Sequence, residues 1–184
     1  MRLLLIRHGQ TPNNVVGALD TAFPGAGLTP LGQAQASAAP GAPAGARVAG
    51  VYASALVRTQ LTATPLARAT GCDVSVVPGL EEIAAAELEM RSDDEAVRAY
   101  AGCVGDWVCG DLDRRMPGGG SGHEFLARYD AAVRALAERH GRDDTVAIFS
   151  HGAAIRAYTA LRAGLAPEVA ADLHIMNTGM AVLE

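Results

Sequence analysis

The stretch that decides the fold is Leu3-Leu4-Leu5-Ile6-Arg7-His8-Gly9, close to the amino terminus. Its four consecutive apolar residues are typical of a strand that is buried on both faces of a parallel sheet. Charge returns at Arg7 and no small-residue cleavage site follows, so the stretch does not match a signal peptide. We therefore expect a first strand that presents a cation and an imidazole at its carboxyl end.

Three further apolar runs, at 48–52, 74–77 and 146–149, have the same character as the first. Sequence with helical features separates most of them, which predicts strands and helices in alternation. Such alternation is typical of an α/β fold in which helices cover parallel strands. We expect a three-layer α/β/α sandwich with a mostly parallel central sheet.

Capping residues indicate where the helices begin. Thr29-Pro30 combines an N-cap with a proline at the first helical position, and Ser121 with Glu124 forms a capping box. The other expected helices run from Ser54 toward Gly71, with a kink at Pro65, and from Gly152 toward Gly164.

Two segments fall outside this alternation. Residues 173–176 and 180–183 flank the turn Asn177-Thr178-Gly179 and predict two short strands across it. Between 83 and 120 the pattern is irregular, and we expect this segment to form a lid or cap. Because no repeat or interdomain linker is visible, residues 1–184 predict a single domain.

The composition excludes several classes of protein. Hydrophobic residues make up 49% of the chain, which is incompatible with a disordered tail, and no apolar run is long enough to cross a bilayer. A net charge of −5 argues against nucleic-acid binding, which requires a concentrated basic face. All fifteen basic residues are Arg, which excludes lysine chemistry. We therefore expect neither a nucleic acid nor a membrane as a partner.

Metal sites have characteristic ligand spacings that are missing from this sequence. The three cysteines, at 72, 103 and 109, do not lie in a CxxC or zinc-binding spacing. Paired Asp or His ligands of a metal phosphohydrolase are not recognisable either. We expect reduced cysteines, a cytoplasmic location, and no metal or cofactor.

Polar residues follow four of the predicted strands. Carboxyl ends of parallel strands meet at one edge of a sheet, so side chains placed there are expected to gather around a common site. The residues in question are Arg7 and His8 after the first strand, Ser54 and Arg58 after the second, Glu81 and Glu82 after the third, and His151 after the strand at 146–149.

These side chains suit the transfer of a phosphoryl group. Arg7 and Arg58 can each hold two phosphate oxygens in a fixed fork. Neighbouring cations lower the pKa of His8, and a neutral ring nitrogen can attack phosphorus. A carboxylic acid such as Glu82 can protonate the leaving alkoxide. The helix that begins at Gly152 directs amide donors toward an anion.

The motifs along the chain occur in the order of one known family. Arg7-His8-Gly9-Gln10-Thr11 with Asn14 matches its opening signature, in which Glu and Trp usually stand at the positions of Gln10 and Asn13. The other matching blocks are 28–36, 54–62, 80–83, 117–121 and Ser150-His151-Gly152. Together they resemble the histidine phosphatase superfamily, in the branch related to cofactor-dependent phosphoglycerate mutase. The resemblance covers nearly the whole chain and implies a phosphoglycerate mutase-like fold.

The resemblance also implies a role for each candidate residue. His8 would become phosphorylated, and Glu82 would donate the proton, with its neighbour Glu81 left open as the alternative donor. The residues implied to hold the phosphoryl group are Arg7, Arg58, His151 and Asn14. Homodimers occur in the family, so a homodimer is one option for the assembly.

We expect hydrolysis of a small-molecule phosphomonoester. A mutase has to exclude water, which in the family goes with extra helical insertions and a tail over the site that this sequence does not show. Two alternatives stay open: a phosphoglycerate mutase-type phosphotransferase, and a catalytically inactive phosphate-binding or interaction domain. Asp20, Thr21 and Trp107 are the candidate contacts for the rest of the substrate, whose identity stays open.

Overall fold

A sheet of five strands forms the centre of the protein in the computed structural model, which describes residues 1–43 and 45–184. The strands are β1 (Arg2–Arg7), β2 (Val48–Ala53), β3 (Val74–Val76), β4 (Thr145–Ser150) and β5 (Met180–Leu183). They lie in the order β3-β2-β4-β1-β5, with β1 to β4 parallel and β5 antiparallel to β1. This confirms the predicted, mostly parallel sheet.

Helices cover both faces of the sheet, which confirms the three-layer sandwich. The helices are α1 (Pro12–Val15), α2 (Pro30–Ala38), α3 (Val57–Thr70), α4 (Asp94–Val108), α5 (Gly122–Ala137), α6 (Gly152–Arg162) and α7 (Pro167–Asp172). Side chains of α3 pack on one face, and those of α4, α5 and α6 pack on the other. Among the described residues, no helix combines the length and the apolar character that a membrane span requires.

The strand β1 lies between β4 and β5, and its burial on both faces explains why its sequence is an unbroken apolar run. Leu3 and Leu5 belong to the core on one face, and Leu4 and Ile6 belong to the core on the other. Successive residues of a strand point to opposite faces, so a strand covered on both sides has to be apolar at every position. Burial of each such side chain contributes about 2 kcal/mol to stability.

The two predicted capping motifs are confirmed. Thr29 Oγ1 accepts the Gly32 N–H over 3.0 Å at the start of α2. At the start of α5, Ser121 Oγ accepts the Glu124 N–H, and the Glu124 carboxylate accepts the Ser121 N–H over 2.9 Å. These caps satisfy amide groups that have no partner within their own helix, and they fix where each helix begins.

The helix predicted from Ser54 begins later than expected. Leu56 takes the N-cap position of α3 without a side-chain hydrogen bond, and the helix continues through Pro65 to Thr70. Ser54 lies outside the helix, and its hydroxyl contacts His151 instead of capping α3. A residue type that often caps helices is therefore engaged in a tertiary contact here.

The prediction of a strand at 173–176 is wrong. Only β5 of the predicted pair forms. It pairs with the edge of β1 that β4 does not occupy. Carbonyl groups of the preceding segment have other partners: Ile175 O accepts from Arg7, and Met176 O accepts from the Gly179 N–H. The segment therefore crosses the end of the sheet as an irregular strap, which we call the 173–176 strap.

The predicted lid, residues 83–120, contains α4 and the short 3₁₀ turn Ala86–Leu88. Many of its apolar side chains lie in the larger core, so the segment packs against the body of the domain. Trp107 is 1% exposed, lies stacked on Phe125, and donates its indole N–H to Arg114 O over 2.7 Å. The expectation that Trp107 contacts a substrate is therefore wrong, because its ring is part of the core.

Candidate active site

A cavity of about 500 Å³ opens where β1 and β4 end, at the edge of the sheet that α/β folds use for ligands. Eight of the nine predicted site residues line it. The ninth, His151, is fully buried beside His8, with 5.3 Å between the centroids of the two rings. The eight lining residues are Arg7, His8, Asn14, Asp20, Thr21, Arg58, Glu82 and Gly152.

The imidazole of His8 has a defined tautomer. Arg58 Nε–H donates to His8 Nε2 over 3.1 Å, so Nε2 carries a lone pair. The hydrogen is therefore on Nδ1, which donates to Gly9 O over 2.8 Å. Burial, together with the cations Arg58 and Arg7, lowers the pKa of His8 to about 3. At neutral pH His8 is thus uncharged, and Nε2 is its nucleophilic atom.

Arg58 is oriented by Asp20. Its Nη2 donates to Asp20 O over 2.8 Å, and its Nη1 lies 3.5 Å from Asp20 Oδ2. Both side chains are buried, and Oδ2 also accepts from Asn13 Nδ2 and from the Ala26 N–H. Although Asp20 lines the cavity, its carboxylate is engaged with these donors. The contact of Asp20 with Arg58 orients the guanidinium so that its Nε–H points to His8.

Arg7 is the last residue of β1, and its guanidinium lies in the cavity together with His8. Its Nη1 donates to Ile175 O over 2.7 Å, which ties the guanidinium to the 173–176 strap. Gly152 packs against the other side, and a Cβ atom at this position would lie 3.0 Å from Arg7 Nε. Burial lowers the pKa of Arg7, and the negative charge of Glu82 opposes that shift.

His151 is the N-cap residue of α6, and its side chain is held from one side only. Nε2 lies 2.8 Å from Ser54 Oγ, whereas Nδ1 has no hydrogen-bond partner among the described residues. Burial, followed by the effects of His8 and the nearby arginines, lowers the pKa of His151 well below its usual value. Its ring is therefore neutral and keeps one polar atom available to a ligand.

Three buried nitrogen atoms around His8 lack a hydrogen-bond partner within the described part of the chain, although one of them, Arg58 Nη1, lies 3.5 Å from Asp20 Oδ2. They are Arg7 Nε, Arg58 Nη1 and His151 Nδ1. Leaving a buried donor without an acceptor costs about 1–3 kcal/mol, so such atoms are uncommon unless a ligand completes them. A tetrahedral anion bound at His8 Nε2 offers several oxygens as acceptors. The cluster thus has the chemistry of a phosphoryl-binding site.

Glu82 occupies the amino terminus of α6. Oε1 accepts the N–H groups of Ile83 and Ala154 over 2.9 and 2.8 Å, and Oε2 accepts the Ala153 N–H over 3.2 Å. The expectation that these helix amides bind the anion directly therefore needs correction, since the carboxylate of Glu82 already uses two of them. Oε2 accepts one amide only, which leaves it a lone pair for a proton.

Glu81 points away from the cavity. Its Oε2 accepts the Gly79 N–H over 2.7 Å and lies 3.2 Å from Arg128 Nη1. Arg128 also donates to the carbonyls of Gly79, Glu81 and Glu82, so it holds the backbone of this loop. Of the two adjacent glutamates, only Glu82 lines the cavity.

Asn14 and Thr21 also line the cavity. Asn14 Oδ1 accepts from the Thr11 N–H and from Asn177 Nδ2, which leaves the Asn14 amide donors for the cavity. The Thr21 hydroxyl donates to Glu89 and accepts the Ala85 N–H, so it connects two loops. Thr21 therefore lines the cavity as the sequence predicted, but its hydroxyl is engaged both as a donor and as an acceptor within the protein.

Comparison with known proteins identifies the family. A family model described as histidine phosphatase superfamily (branch 1) matches residues 3–184. The chain belongs to the histidine phosphatase superfamily. A probable phosphoglycerate mutase GpmB from Salmonella choleraesuis is 28% identical over 188 residues, which cover 100% of this chain and 85% of that protein. Over 46% of the chain, 52% identity is shared with PE-PGRS family protein PE_PGRS11 of Mycobacterium tuberculosis, but the match spans only 15% of that protein.

Solved structures of similar proteins share the fold of this member of the histidine phosphatase superfamily. A mycobacterial glucosyl-3-phosphoglycerate phosphatase in complex with VO3 superposes with a TM-score of 0.82 and 27% identity, covering 100% of this chain and 92% of that one. An alpha-ribazole phosphatase from Shigella flexneri superposes with a TM-score of 0.77 and 26% identity, covering 100% and 90% of the two chains. The phosphoglycerate mutase-like fold is thereby confirmed.

Several residues at the site were not predicted from the sequence. Asn177 donates to His8 O over 3.0 Å and to Asn14 Oδ1 over 3.2 Å. In the sequence, Asn177 is interpreted only as a residue of the turn at 177–179. Arg156 lines the cavity and donates to Ala170 O and Ala171 O, one helical turn after Gly152. The spacing of Arg156 on the helix that follows His151 could have indicated its position. Within the described residues, no group of three or more potential metal ligands occurs.

The two neutral histidines of the site, His8 and His151, predict a loss of stability in acid. Below pH 6.5 the unfolded chain binds a proton on each ring, whereas folded His8 binds one only near pH 3. Unfolding therefore takes up protons, and the free energy of unfolding falls by about 1.4 kcal/mol per pH unit for each such histidine as pH decreases. Urea denaturation between pH 6 and pH 4 measures this slope.

A comparison of variants isolates the contribution of His8. Replacing His8 by Asn should make the slope shallower by about 1.4 kcal/mol per pH unit, because carboxylate contributions are shared with the parent protein. Replacing the exposed His123 by Asn controls for the loss of a histidine outside the cavity. Equal slopes for the parent and the His8 variant would show that the ring is protonated in the folded protein.

Proposed function

We propose that this protein is a phosphatase that hydrolyses a small-molecule phosphomonoester through a phosphohistidine on His8. The observation that carries the proposal is the neutral Nε2 of His8, surrounded by buried nitrogens of Arg7, Arg58 and His151 that have no hydrogen-bond partner among the described residues. A nucleophile among such groups can attack phosphorus while the charge on the equatorial oxygens is stabilised. The complex of a structural neighbour with VO3 supports the same reading.

In the first step, His8 Nε2 attacks phosphorus and the bond from phosphorus to the ester oxygen breaks. The lone pair that accepted the Arg58 Nε–H now bonds to phosphorus, which frees that N–H for an equatorial oxygen. Protonated Glu82 transfers its proton to the leaving alkoxide. Arg7 and His151 stabilise the remaining equatorial charge. An alcohol leaves, and the phosphoryl group stays on His8.

In the second step, water attacks the phosphohistidine. Glu82, now a carboxylate, accepts a proton from the attacking water, and the bond from phosphorus to Nε2 breaks. Inorganic phosphate is released, and Nε2 regains its lone pair and its contact with Arg58. The α6 amides hold Glu82 in one place for both proton transfers, because its oxygens accept from Ala153 and Ala154 throughout.

The rest of the cavity would accommodate the organic part of the ester. Its lining combines apolar side chains with the guanidinium of Arg156 and the imidazole of His174. The apolar lining residues include Leu19, Tyr100, Ala101, Val104, Leu173 and Ile175. This mixture favours a small organic phosphate over a polymer. The proposal also includes a cytoplasmic location, activity without metal or cofactor, no nucleic acid or membrane as partner, and a monomer or homodimer.

Rapid-quench labelling tests the proposed function. With a ³²P-labelled phosphomonoester, the protein should acquire label that is labile in acid and stable in alkali, and then release inorganic phosphate. Activity should be the same with and without EDTA. If the protein interconverts phosphoglycerates faster than it releases phosphate, the result favours the mutase reaction. One relative has the name probable phosphoglycerate mutase GpmB. Phosphate binding without label or turnover across a broad ester panel would favour the inactive binding domain.

Replacing Gly152 by Ala is expected to lower kcat/KM about fivefold. The new Cβ atom would lie 3.0 Å from Arg7 Nε and 3.2 Å from Arg7 Cζ, so the guanidinium has to shift by a few tenths of an ångström from its position beside His8. Displacement of a positioning group by about 1 Å costs roughly 100-fold in rate at the upper end. Steady-state hydrolysis of p-nitrophenyl phosphate measures the loss.

Gly105 in α4 provides the matched control for the Gly152 variant. A Cβ atom at Gly105 would meet no atom within 4 Å, and alanine is favoured over glycine inside a helix. The Gly105→Ala protein should therefore keep its activity. Unchanged kinetics for Gly152→Ala would mean that the position of Arg7 does not limit the reaction.

A further inference from the structure

A hydroxyl group that takes no part in the steps above contacts the second histidine of the site. Ser54 follows β2 and is fully buried. Its Oγ lies 2.8 Å from His151 Nε2, although 97 residues separate the two in sequence. One hydrogen lies between these two atoms. Whether it belongs to the serine or to the imidazole decides which nitrogen of His151 is the donor toward the cavity.

The neighbouring hydroxyl of Thr59 limits the choices for Ser54. Thr59 Oγ1 lies 2.7 Å from Leu56 O and 3.0 Å from Ser54 Oγ, so its hydrogen points to the closer carbonyl acceptor. The Leu56 N–H donates to Ser54 Oγ over 3.3 Å. The serine hydrogen is therefore free to point either to Thr59 Oγ1 or to His151 Nε2, and the histidine nitrogen is the closer of the two.

The two neutral tautomers of His151 differ in what they offer a bound anion. With the hydrogen on Nε2, the ring would donate to Ser54, and buried Nδ1 would hold a lone pair without a donor. A lone pair repels a phosphoryl oxygen. With the hydrogen on Nδ1, Ser54 donates to Nε2, and Nδ1–H becomes a donor beside His8. A cationic ring, which would donate from both nitrogens, is disfavoured because burial lowers the pKa of His151.

We infer that Ser54 is a positioning residue that donates to His151 Nε2 and thereby keeps the hydrogen of His151 on Nδ1, as a donor to the phosphoryl group on His8. The inference rests on the proposed function. Ser54 itself touches neither substrate nor reacting atoms, and it acts only through the imidazole. The contact also holds the ring at its angle of 61° to His8. A comparable role is known in principle from carboxylates that select the tautomer of a catalytic histidine.

Replacing Ser54 by Ala tests the inference by two independent measurements. Long-range ¹H–¹⁵N spectra of ¹⁵N-labelled protein with orthovanadate should show His151 protonated on Nδ1 in the parent protein and shifted toward the Nε2–H form in Ser54→Ala. Hydrolysis of p-nitrophenyl phosphate should lose about 30-fold in kcat/KM. The dissociation constant for orthovanadate should rise by a similar factor, which a purely structural role would not require.

Thr59→Val is the matched control, because Thr59 lies in the same buried pair of hydroxyls. Valine has nearly the shape of threonine and removes the competing acceptor, so the Ser54 hydrogen can point only to His151. The control should keep the Nδ1–H tautomer and stay within about threefold of the parent kcat/KM. Thermal unfolding of both variants shows whether either change alters the fold.

Two outcomes would overturn the inference. One is a Ser54→Ala protein that retains the Nδ1–H tautomer and the parent rate, and the other is a Thr59→Val protein that loses as much activity as Ser54→Ala. The spectra with orthovanadate need no turnover, so they test Ser54 even if the parent forms no phosphohistidine. Labelling of His8 in the parent, with Ser54→Ala unaffected, would leave the proposed function standing and remove only the role of Ser54.

Discussion

His8→Ala is expected to lower kcat/KM by about 10⁵-fold and to abolish the acid-labile label, the largest effect of any single replacement in this protein. The reason is that, among the lining residues that the structure describes, only His8 combines an uncharged imidazole nitrogen with a contact to Arg58. His151 lies at a ring distance of 5.3 Å, but its Nε2 is engaged with Ser54 Oγ and its Nδ1 carries the hydrogen in the inferred tautomer, so neither nitrogen offers a lone pair to phosphorus. Phosphate release from p-nitrophenyl phosphate and rapid-quench labelling measure the two effects.

Two controls make the result for His8 interpretable. His123 is largely exposed and lies outside the cavity, so His123→Ala should keep both the rate and the label. Thermal unfolding should show that the His8→Ala protein is folded, although Arg58 Nε loses its acceptor. A His8→Ala protein that still forms an acid-labile phosphoenzyme would place the nucleophile on another residue and contradict the proposed mechanism.

Glu82→Gln should give the second-largest effect, and its size should depend on the leaving group. We expect about 10³-fold loss of kcat for an alkyl phosphate, because the departing alkoxide needs a proton that an amide cannot supply. For p-nitrophenyl phosphate the loss in the first step should be about tenfold or less, since nitrophenolate departs without full protonation. Steady-state rates on both esters, with burst measurements on the aryl ester, give the comparison.

Glu81→Gln is the matched control for the proton donor. Its side chain is engaged with Gly79 and Arg128 outside the cavity, so its removal should change the rate on either ester by less than about threefold. Equal losses for the alkyl and aryl esters in Glu82→Gln would show that the residue binds rather than donates a proton. A larger loss in Glu81→Gln would transfer the role of proton donor to Glu81.

The sequence by itself determined the architecture and most of the residue types at the site. The apolar run at 3–6 has to be a strand covered on both faces, and His8 has to follow it at the end of the sheet where parallel strands meet. The capping residues Thr29 and Ser121 likewise specify where α2 and α5 begin. These features are local, since they depend on neighbours within a few residues, and a linear pattern contains that information.

The pairing of side chains from distant segments was decided only by the tertiary structure. Pairing of β5 with the outer edge of β1 leaves the strap at 173–176 outside the sheet. Trp107 turns into the core because α4 packs against neighbouring helices, where the indole stacks on Phe125. The amides of α6 bind Glu82, and the hydroxyl of Ser54 meets His151 instead of capping a helix.

His8 shows the same division most clearly. Its position after β1 follows from the sequence, but its tautomer and its low pKa depend on an arginine 50 residues away and on burial by segments that no local pattern connects. Hydrogen bonds and desolvation act through space, at distances of a few ångströms between atoms that may be far apart in the chain. Residue identity determined which chemistry was available, and packing determined which atom carries it out.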